Sequence, residues 1–204
     1  MTSPFHQIAP QYAELWSQTS RGRAQREQVW REIDRLFKIG DRVLDLGCGT
    51  GDDALHLMSG GVEVFGIDSA PGMVEIARTR GVDAKTMAIE DLGSLEDIFD
   101  GAISNFGALN CVADLDKLSE ALARLVRPRG ILALCVMTRF CWRTDWRHLG
   151  QRWSGQARWR GIDVFYRSAG SIARAFMPHF ACQGRVSIGR GDHQLLVFTR
   201  RSEC

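Results

Sequence analysis

The 204-residue chain has no apolar run of the length that a helix needs to cross a bilayer, which excludes a helical membrane span as its organising feature. Met1–Tyr12 has neither a basic flank nor an apolar core, so no secretory signal is expected there. Six cysteines stand at 48, 111, 135, 141, 182 and 204 without a single C-x-x-C spacing. That argues against a disulfide framework and against a zinc site, so no metal is expected and a reducing cytoplasm is the expected setting. Lysine is scarce: of 26 basic residues only Lys38, Lys85 and Lys117 are lysine. The arginine bias by itself says little about partners. Internal repeats, linkers and low-complexity segments are absent from the string, which points to one domain over 1–204.

What charge there is lies unevenly. Residues 1–138 carry 14 Lys+Arg against 20 Asp+Glu, whereas residues 139–204 carry 12 against 4. A net charge of +2 thus hides an acidic body and a basic tail that needs its own explanation.

The most informative string is Val43-Leu44-Asp45-Leu46-Gly47-Cys48-Gly49-Thr50-Gly51, followed by Gly66-Ile67-Asp68. An apolar strand runs into a glycine turn, and a second strand ends in a carboxylate. Glycines let backbone approach a ligand, and an acid at the end of the next strand can take two ribose hydroxyls. The dinucleotide spacing G-x-G-x-x-G is not completed, because its last position holds Asp52. A carboxylate there repels a pyrophosphate seeking the helix N-terminus. A nucleoside with an amino-acid tail suits the turn better.

Helical spacing covers about 4–17 and 21–38, and again 114–126 and 171–179. Strands are expected near 42–46, 62–67, 82–88, 99–104 and 131–137, with a closing pair at 180–188 and 194–200. Strands alternating with helices predict an α/β, doubly wound sheet, mostly parallel, and the short last connection makes the C-terminal hairpin antiparallel.

The glycine string resembles motif I of the class I S-adenosylmethionine-dependent methyltransferases, of the small-molecule type. The resemblance covers about residues 5–137 well and the terminal hairpin loosely. It implies a Rossmann-like sheet of order 3-2-1-4-5-7-6, S-adenosyl-L-methionine as cofactor, and S-adenosyl-L-homocysteine as product. Asp45, Gly47, Cys48 and Gly49 then face the methionine moiety, with Cys48 as a small filler. Asp68 takes the ribose, and Asp68-Ser69-Ala70-Pro71-Gly72-Met73 resembles D-x-S-x-x-M, with Ser69 nearby and Met73 on adenine or in the helix core. Ile89 and Glu90 border the adenine edge. Family members often have an acid where Ala88 stands, and this chain departs from that. Ser104-Asn105-Phe106-Gly107-Ala108-Leu109-Asn110 resembles the loop after strand 4, and places Asn105, Phe106 and Asn110 toward sulfonium and acceptor. It lacks the Asn/Asp/Ser-Pro-Pro-aromatic tetrapeptide of enzymes that methylate base amino groups. Arg26 has two readings, a cap on the methionine carboxylate or one arginine of a solvated helix face.

Residues 139–167 occupy the place of a lid-like insertion, with Trp142, Trp146, Trp153 and Trp159 interleaved among arginines. One reading puts aromatics on the acceptor and arginines near an anionic group. The plainer one packs the tryptophans on the core and solvates the arginines. The opening Phe5-x-x-Ile8-Ala9-x-x-Tyr12 resembles a segment that folds over the cofactor, within an N-terminal helical segment of 1–38. His6, Tyr12 and His148 are the candidate bases. His56, His179 and His193 are expected to be structural or at the surface. The expected function is methyl transfer to O, N or C of a small-molecule metabolite, with aromatic and anionic acceptors among those expected, by a monomer or homodimer. A cyclase-like or merely binding role, and tRNA or protein methylation, stand as alternatives. The acidic body argues against nucleic acid.

Overall fold

A computed structural model describes residues 4–137 and 155–202. In chain order, α1 is Pro4–Tyr12, α2 Ser20–Ile33, β1 Arg42–Leu46, α3 Asp52–Ser59, β2 Glu63–Asp68, α4 Pro71–Thr79 and β3 Asp83–Thr86. Then come β4 Phe99–Ser104, α5 Leu115–Leu125, β5 Val126–Met137, β6 Gln156–Trp159, β7 Ile162–Phe165, α6 Ala169–Phe176, β8 Phe180–Ile188 and β9 His193–Arg200. Among the described residues no helix is long and apolar enough to cross a membrane.

Seven strands form one sheet in the order β3-β2-β1-β4-β5-β9-β8. The first five are parallel, while β9 runs antiparallel between β5 and β8. This is the 3-2-1-4-5-7-6 arrangement, with β8 and β9 as its sixth and seventh strands. Strand β1 is buried from Val43 to Leu46 because helices cover both faces of a parallel sheet. On one face Val29, Ile33, Ala54, Leu57, Val74 and Ala77 pack on the strands, bringing α2, α3 and α4 together. On the other, Leu118, Leu122, Ile172 and Phe176 bring α5 and α6 onto it.

The first expected helix breaks in two. Pro10 lacks an N–H for the His6 carbonyl, and α1 passes into a π-helical turn over Ala13–Ser17. Thr19 then caps α2, its Oγ1 accepting from Gly22 N at 3.0 Å and donating to Trp16 O at 2.8 Å. The turn is so close that a Cβ on Gly22 would lie 2.1 Å from the Trp16 carbonyl oxygen. Gly22→Ala is therefore expected to cost roughly 1–3 kcal/mol by overpacking. Chemical denaturation should show this, with faster hydrogen exchange over 4–17 as the turn loses its seat.

Other boundaries shift in instructive ways. Strand β3 is shorter than 82–88, because its partner β2 ends at Asp68, whose carbonyl takes the last ladder bond from Met87 N at 3.0 Å. Helix α2 ends at Ile33 rather than 38, its last turn tightening over Asp34–Phe37. The part of the expected lid-like insertion that holds Trp142, Trp146 and Trp153 lies outside the described residues. The end of the lid-like insertion is a two-stranded hairpin, β6–β7, turning at Arg160-Gly161 with φ of 47° and 89°. Two successive positive φ values make the kind of turn that matches strand twist.

Candidate cofactor site

Strand β1 delivers Asp45 to the carboxyl edge of the sheet, where it is 2% exposed. The glycine turn follows, sewn to β2 by Gly47 N and Cys48 N, both donating to Ile67 O at 2.8 and 2.9 Å. Gly47 sits at φ 76°, and a Cβ there would come within 2.3 Å of Ala108 Cβ. Only glycine lets the turn and the loop after β4 approach so closely. Gly49, at φ 54°, has nothing within 4 Å of where a Cβ would be, so its backbone borders open space.

Asp68 ends β2 with both carboxylate oxygens engaged. Oδ2 accepts from Gly49 N at 3.0 Å and Oδ1 from Ala70 N at 2.8 Å. Burial pushes its pKa up, against the pull of those two amides. Each oxygen keeps a lone pair for a further donor, so the acid can hold the turn and a diol together. Ser69 is exposed beside it, and Met73 is buried with Ala9 and Ala70 where α1 meets α4. Ile89 packs on the core at the start of a short 3-10 turn, and Glu90 is exposed.

Asp45 carries the sharpest signal. Its Oδ2 is buried with no hydrogen-bond partner, and so are Oδ1 and Nδ2 of Asn105 at the end of β4. Burial drives the Asp45 carboxyl well above the usual range, Asp53 and Asp68 push the same way, and Arg26 pulls it down. Buried polar groups left unmet cost folding free energy, so these atoms suit a ligand that brings its own donors and acceptors. The ammonium of an amino-acid tail fits the carboxyl, and a diol fits Asp68. The residues therefore fit S-adenosylmethionine.

Arg26 is buried and belongs to this cluster. Its Nη1 donates to Asp53 Oδ1 at 2.9 Å, and its guanidinium lies 5.0 Å from the Phe106 ring centroid. The solvated-face reading of Arg26 is thereby replaced by a buried ion pair. Phe106 has φ 53°, an uncommon backbone for an aromatic residue, and is held between Arg26 and the edge of His193 at 5.6 Å. Asp52 pairs with Arg80 at 2.7 Å. Burial raises its pKa, but hydrogen bonds from Arg80 and Ser17 outweigh that and hold the carboxylate ionised.

Other expected site residues do different work. Both Asn110 Nδ2 hydrogens are taken, by Met137 O and Phe165 O at 2.8 Å each, and its Oδ1 accepts from Met137 N at 2.9 Å. Its amide thus ties the loop after β4 to β5 and to the β6–β7 hairpin, which leaves it no donor for a cofactor. Burial holds the Cys48 thiol protonated and inert.

Two of the three candidate bases are visible, and neither is poised as one. Burial lifts Tyr12 to about 12, Arg26 pulling it down and nearby aspartates pushing it up, so at neutral pH its hydroxyl is a donor. His6 Nδ1 accepts from Gly72 N at 2.9 Å, which spends a lone pair on docking α1 to α4. His148 lies outside the described residues. His193, expected at the surface, is 5% exposed against Phe106. Its register opposite Met137 carries it to the same sheet edge as Asp45. His56 stacks on Trp30 at 4.1 Å and reaches Asp34 Oδ1 at 2.7 Å.

A cavity of about 710 Å³ opens between α1, α2 and α3, bordered by Arg23, Arg26, Trp30, Asp52 and Arg80. Neither Asp45 nor Asp68 lines it. It flanks the outer side of the glycine turn rather than the strand-end edge where the unmet polar atoms cluster.

Residues 21–177 match a family model described as a methyltransferase domain. The chain belongs to that family. It is 33% identical over 111 residues to a ubiquinone biosynthesis O-methyltransferase of Xanthomonas oryzae pv. oryzae, covering 52% of this chain and 46% of that protein. It is 32% identical over 135 residues to a demethylmenaquinone methyltransferase of Paenarthrobacter aurescens, covering 64% and 52%. The methyltransferase domain thus spans about half the length of the curated relatives it matches. The solved structure of the [4+2]-cyclase SpnF superposes with a TM-score of 0.72 at 16% identity, covering 100% of this chain and 98% of that one. At that identity the likeness is one of fold, and the same fold serves a cyclase.

Proposed function

We propose that this methyltransferase domain transfers a methyl group from S-adenosylmethionine to a small aromatic acceptor of the hydroxylated-ring or quinone type. The observation that carries this reading is the cluster of unmet polar atoms at Asp45 and Asn105, and an aromatic wall supports it. That wall is built by α1 and the β6–β7 hairpin, where Phe5 and Trp159 pack with ring centroids 5.3 Å apart. Arg160 lies over Trp159 at 5.2 Å, adding positive charge at the rim. The curated relatives are a ubiquinone biosynthesis O-methyltransferase and a demethylmenaquinone methyltransferase, and ring-shaped acceptors of that kind suit an aromatic wall.

When bound, S-adenosylmethionine supplies an electrophilic methyl group on a sulfonium. The chain's own residues bind and align. Asp68, braced by the Gly49 amide, would hold the nucleoside end, and Asp45 would hold the ammonium. Asn105 offers one acceptor and two donors where tail and acceptor meet. Tyr12, protonated, would offer a hydroxyl donor from α1. Such a site works mainly through proximity and exclusion of water. An acceptor that reaches the site already ionised needs no base from the protein.

The test pairs native mass spectrometry of the purified chain with transfer of labelled methyl to a panel of phenols and hydroxyquinones. S-adenosylhomocysteine carried through purification, with label in a panel member, is the expected result. Retained S-adenosylmethionine with no transfer would favour a cyclase-like role. Label entering tRNA or protein from lysate would overturn the small-molecule reading.

A further inference from the structure

The Arg26 guanidinium is only half used. Nη1 is held by Asp53 Oδ1 at 2.9 Å. Nε is buried with no hydrogen-bond partner, and Nη2 has only long contacts, 3.4 Å to Ser17 Oγ and 3.7 Å to Asp52 Oδ2. The Nε–Nη2 side of a guanidinium is a two-donor edge that matches a carboxylate. That edge, with Nε unmet and Nη2 held only at long range, lies away from the oxygen that fixes the group.

Asp53 is itself immobilised. The same Oδ1 accepts from Trp30 Nε1 at 2.8 Å, and Trp30 is clamped by stacking on His56 with the ring planes 2° apart. Arg26 and Asp53 side chains are each 9% exposed, so the pair is shielded from solvent screening. Phe106 supports the guanidinium face. The assembly sits beside Asp45, whose carboxyl feels both partners. With Asp68 at β2 fixing the nucleoside end, the β1–β4 side is where an amino-acid tail must lie.

We propose that Asp53 is the positioning residue that presents the Nε–Nη2 edge of Arg26 to the carboxylate of the cofactor's amino-acid end. The inference rests on the S-adenosylmethionine reading above. One aspartate orients the arginine through Nη1 and leaves the opposite edge for the ligand. A purely structural ion pair pinning α2 to α3 would fix the same two residues but would be blind to the ligand's tail.

Calorimetry with two ligands separates these roles. S-adenosylhomocysteine has the amino-acid tail, and 5′-methylthioadenosine lacks it. Asp53→Asn should bind S-adenosylhomocysteine about tenfold or more weaker. It should bind 5′-methylthioadenosine within about twofold of the parent chain, which also reports that the fold is intact. Trp30→Phe, which removes only the indole donor, should give a smaller loss with the same tail dependence. Arg26→Met combined with Asp53→Asn should lose no more S-adenosylhomocysteine affinity than Arg26→Met alone. An equal loss on both ligands, or no loss on either, overturns the proposal. If the parent chain binds neither ligand, the cofactor reading itself has failed.

Discussion

Replacing Asp45 with asparagine is expected to weaken S-adenosylhomocysteine binding on the order of 100-fold while raising the melting temperature of the empty protein. The two effects share one cause. Asp45 is buried with an unmet oxygen, and burial drives its pKa far up. A hydrogen bond to a charged group contributes about 1.5–3 kcal/mol, and asparagine forfeits the ionic part against the ligand ammonium. In the empty protein the unfolded chain releases this proton near pH ~4, whereas the folded chain keeps it. Stability from this group is therefore complete below about pH 4 and is lost as pH rises toward the folded pKa. Asparagine cannot titrate, so the stability gain should vanish near pH 4 and grow toward neutrality. Cofactor affinity of the parent chain should fall with falling pH by up to about tenfold per unit while Asp45 holds its proton. Calorimetric titration and thermal melts across pH check both arms. A melting temperature that does not rise at pH 7, or an affinity indifferent to the substitution, would remove Asp45 from the site.

Asp68→Ala should cost both binding and fold. Alanine gives up the charge-assisted contact to the ribose, and it strands the Gly49 and Ala70 amides that now donate to the carboxylate. A fully buried donor left unmet costs about 1–3 kcal/mol, and these two are part-buried, so the loss of stability is expected to be about 1–3 kcal/mol in all. Affinity for S-adenosylhomocysteine should fall roughly 100-fold or more. Asp68→Asn should recover little, since its amide nitrogen would meet one N–H with another. Denaturation midpoints and calorimetry report the two effects separately. Unchanged affinity in a folded Asp68→Ala protein would falsify the pocket at the end of β2.

The glycine turn, Asp45 and Asp68 were legible because they lie on consecutive local elements. Apolar runs of parallel strands, glycines at positive φ and a strand-ending acid are written within a few residues of each other. Asn110 shows the limit of that reading. Its place in the loop after β4 suggested a cofactor contact, yet its amide is consumed by Met137 and Phe165, which are distant in sequence. His193 is the converse case. It precedes an alternating strand like any turn residue, and only the antiparallel register with β5 buries it against Phe106. The β6–β7 hairpin had a faint signal, Arg160-Gly161 between alternating residues, which the run of tryptophans and arginines masked.

Arg26 and Asp53 divide the two kinds of knowledge most clearly. From sequence, Arg26 had two readings, a cap on the methionine carboxylate or one arginine of a solvated helix face, and nothing singled out Asp53. Their meeting across α2 and α3, 27 residues apart in the chain, depends on how both helices pack on the same face of the sheet. Sequence by itself determined the alternating α/β architecture and put the glycine turn and Asp68 at adjacent strand ends, because strand period, glycine conformation and acid placement are short-range physics. The tertiary structure decided which buried charges pair, which donors stay unmet, and where the aromatic wall stands. Those outcomes follow from long-range register and desolvation, which no local pattern encodes.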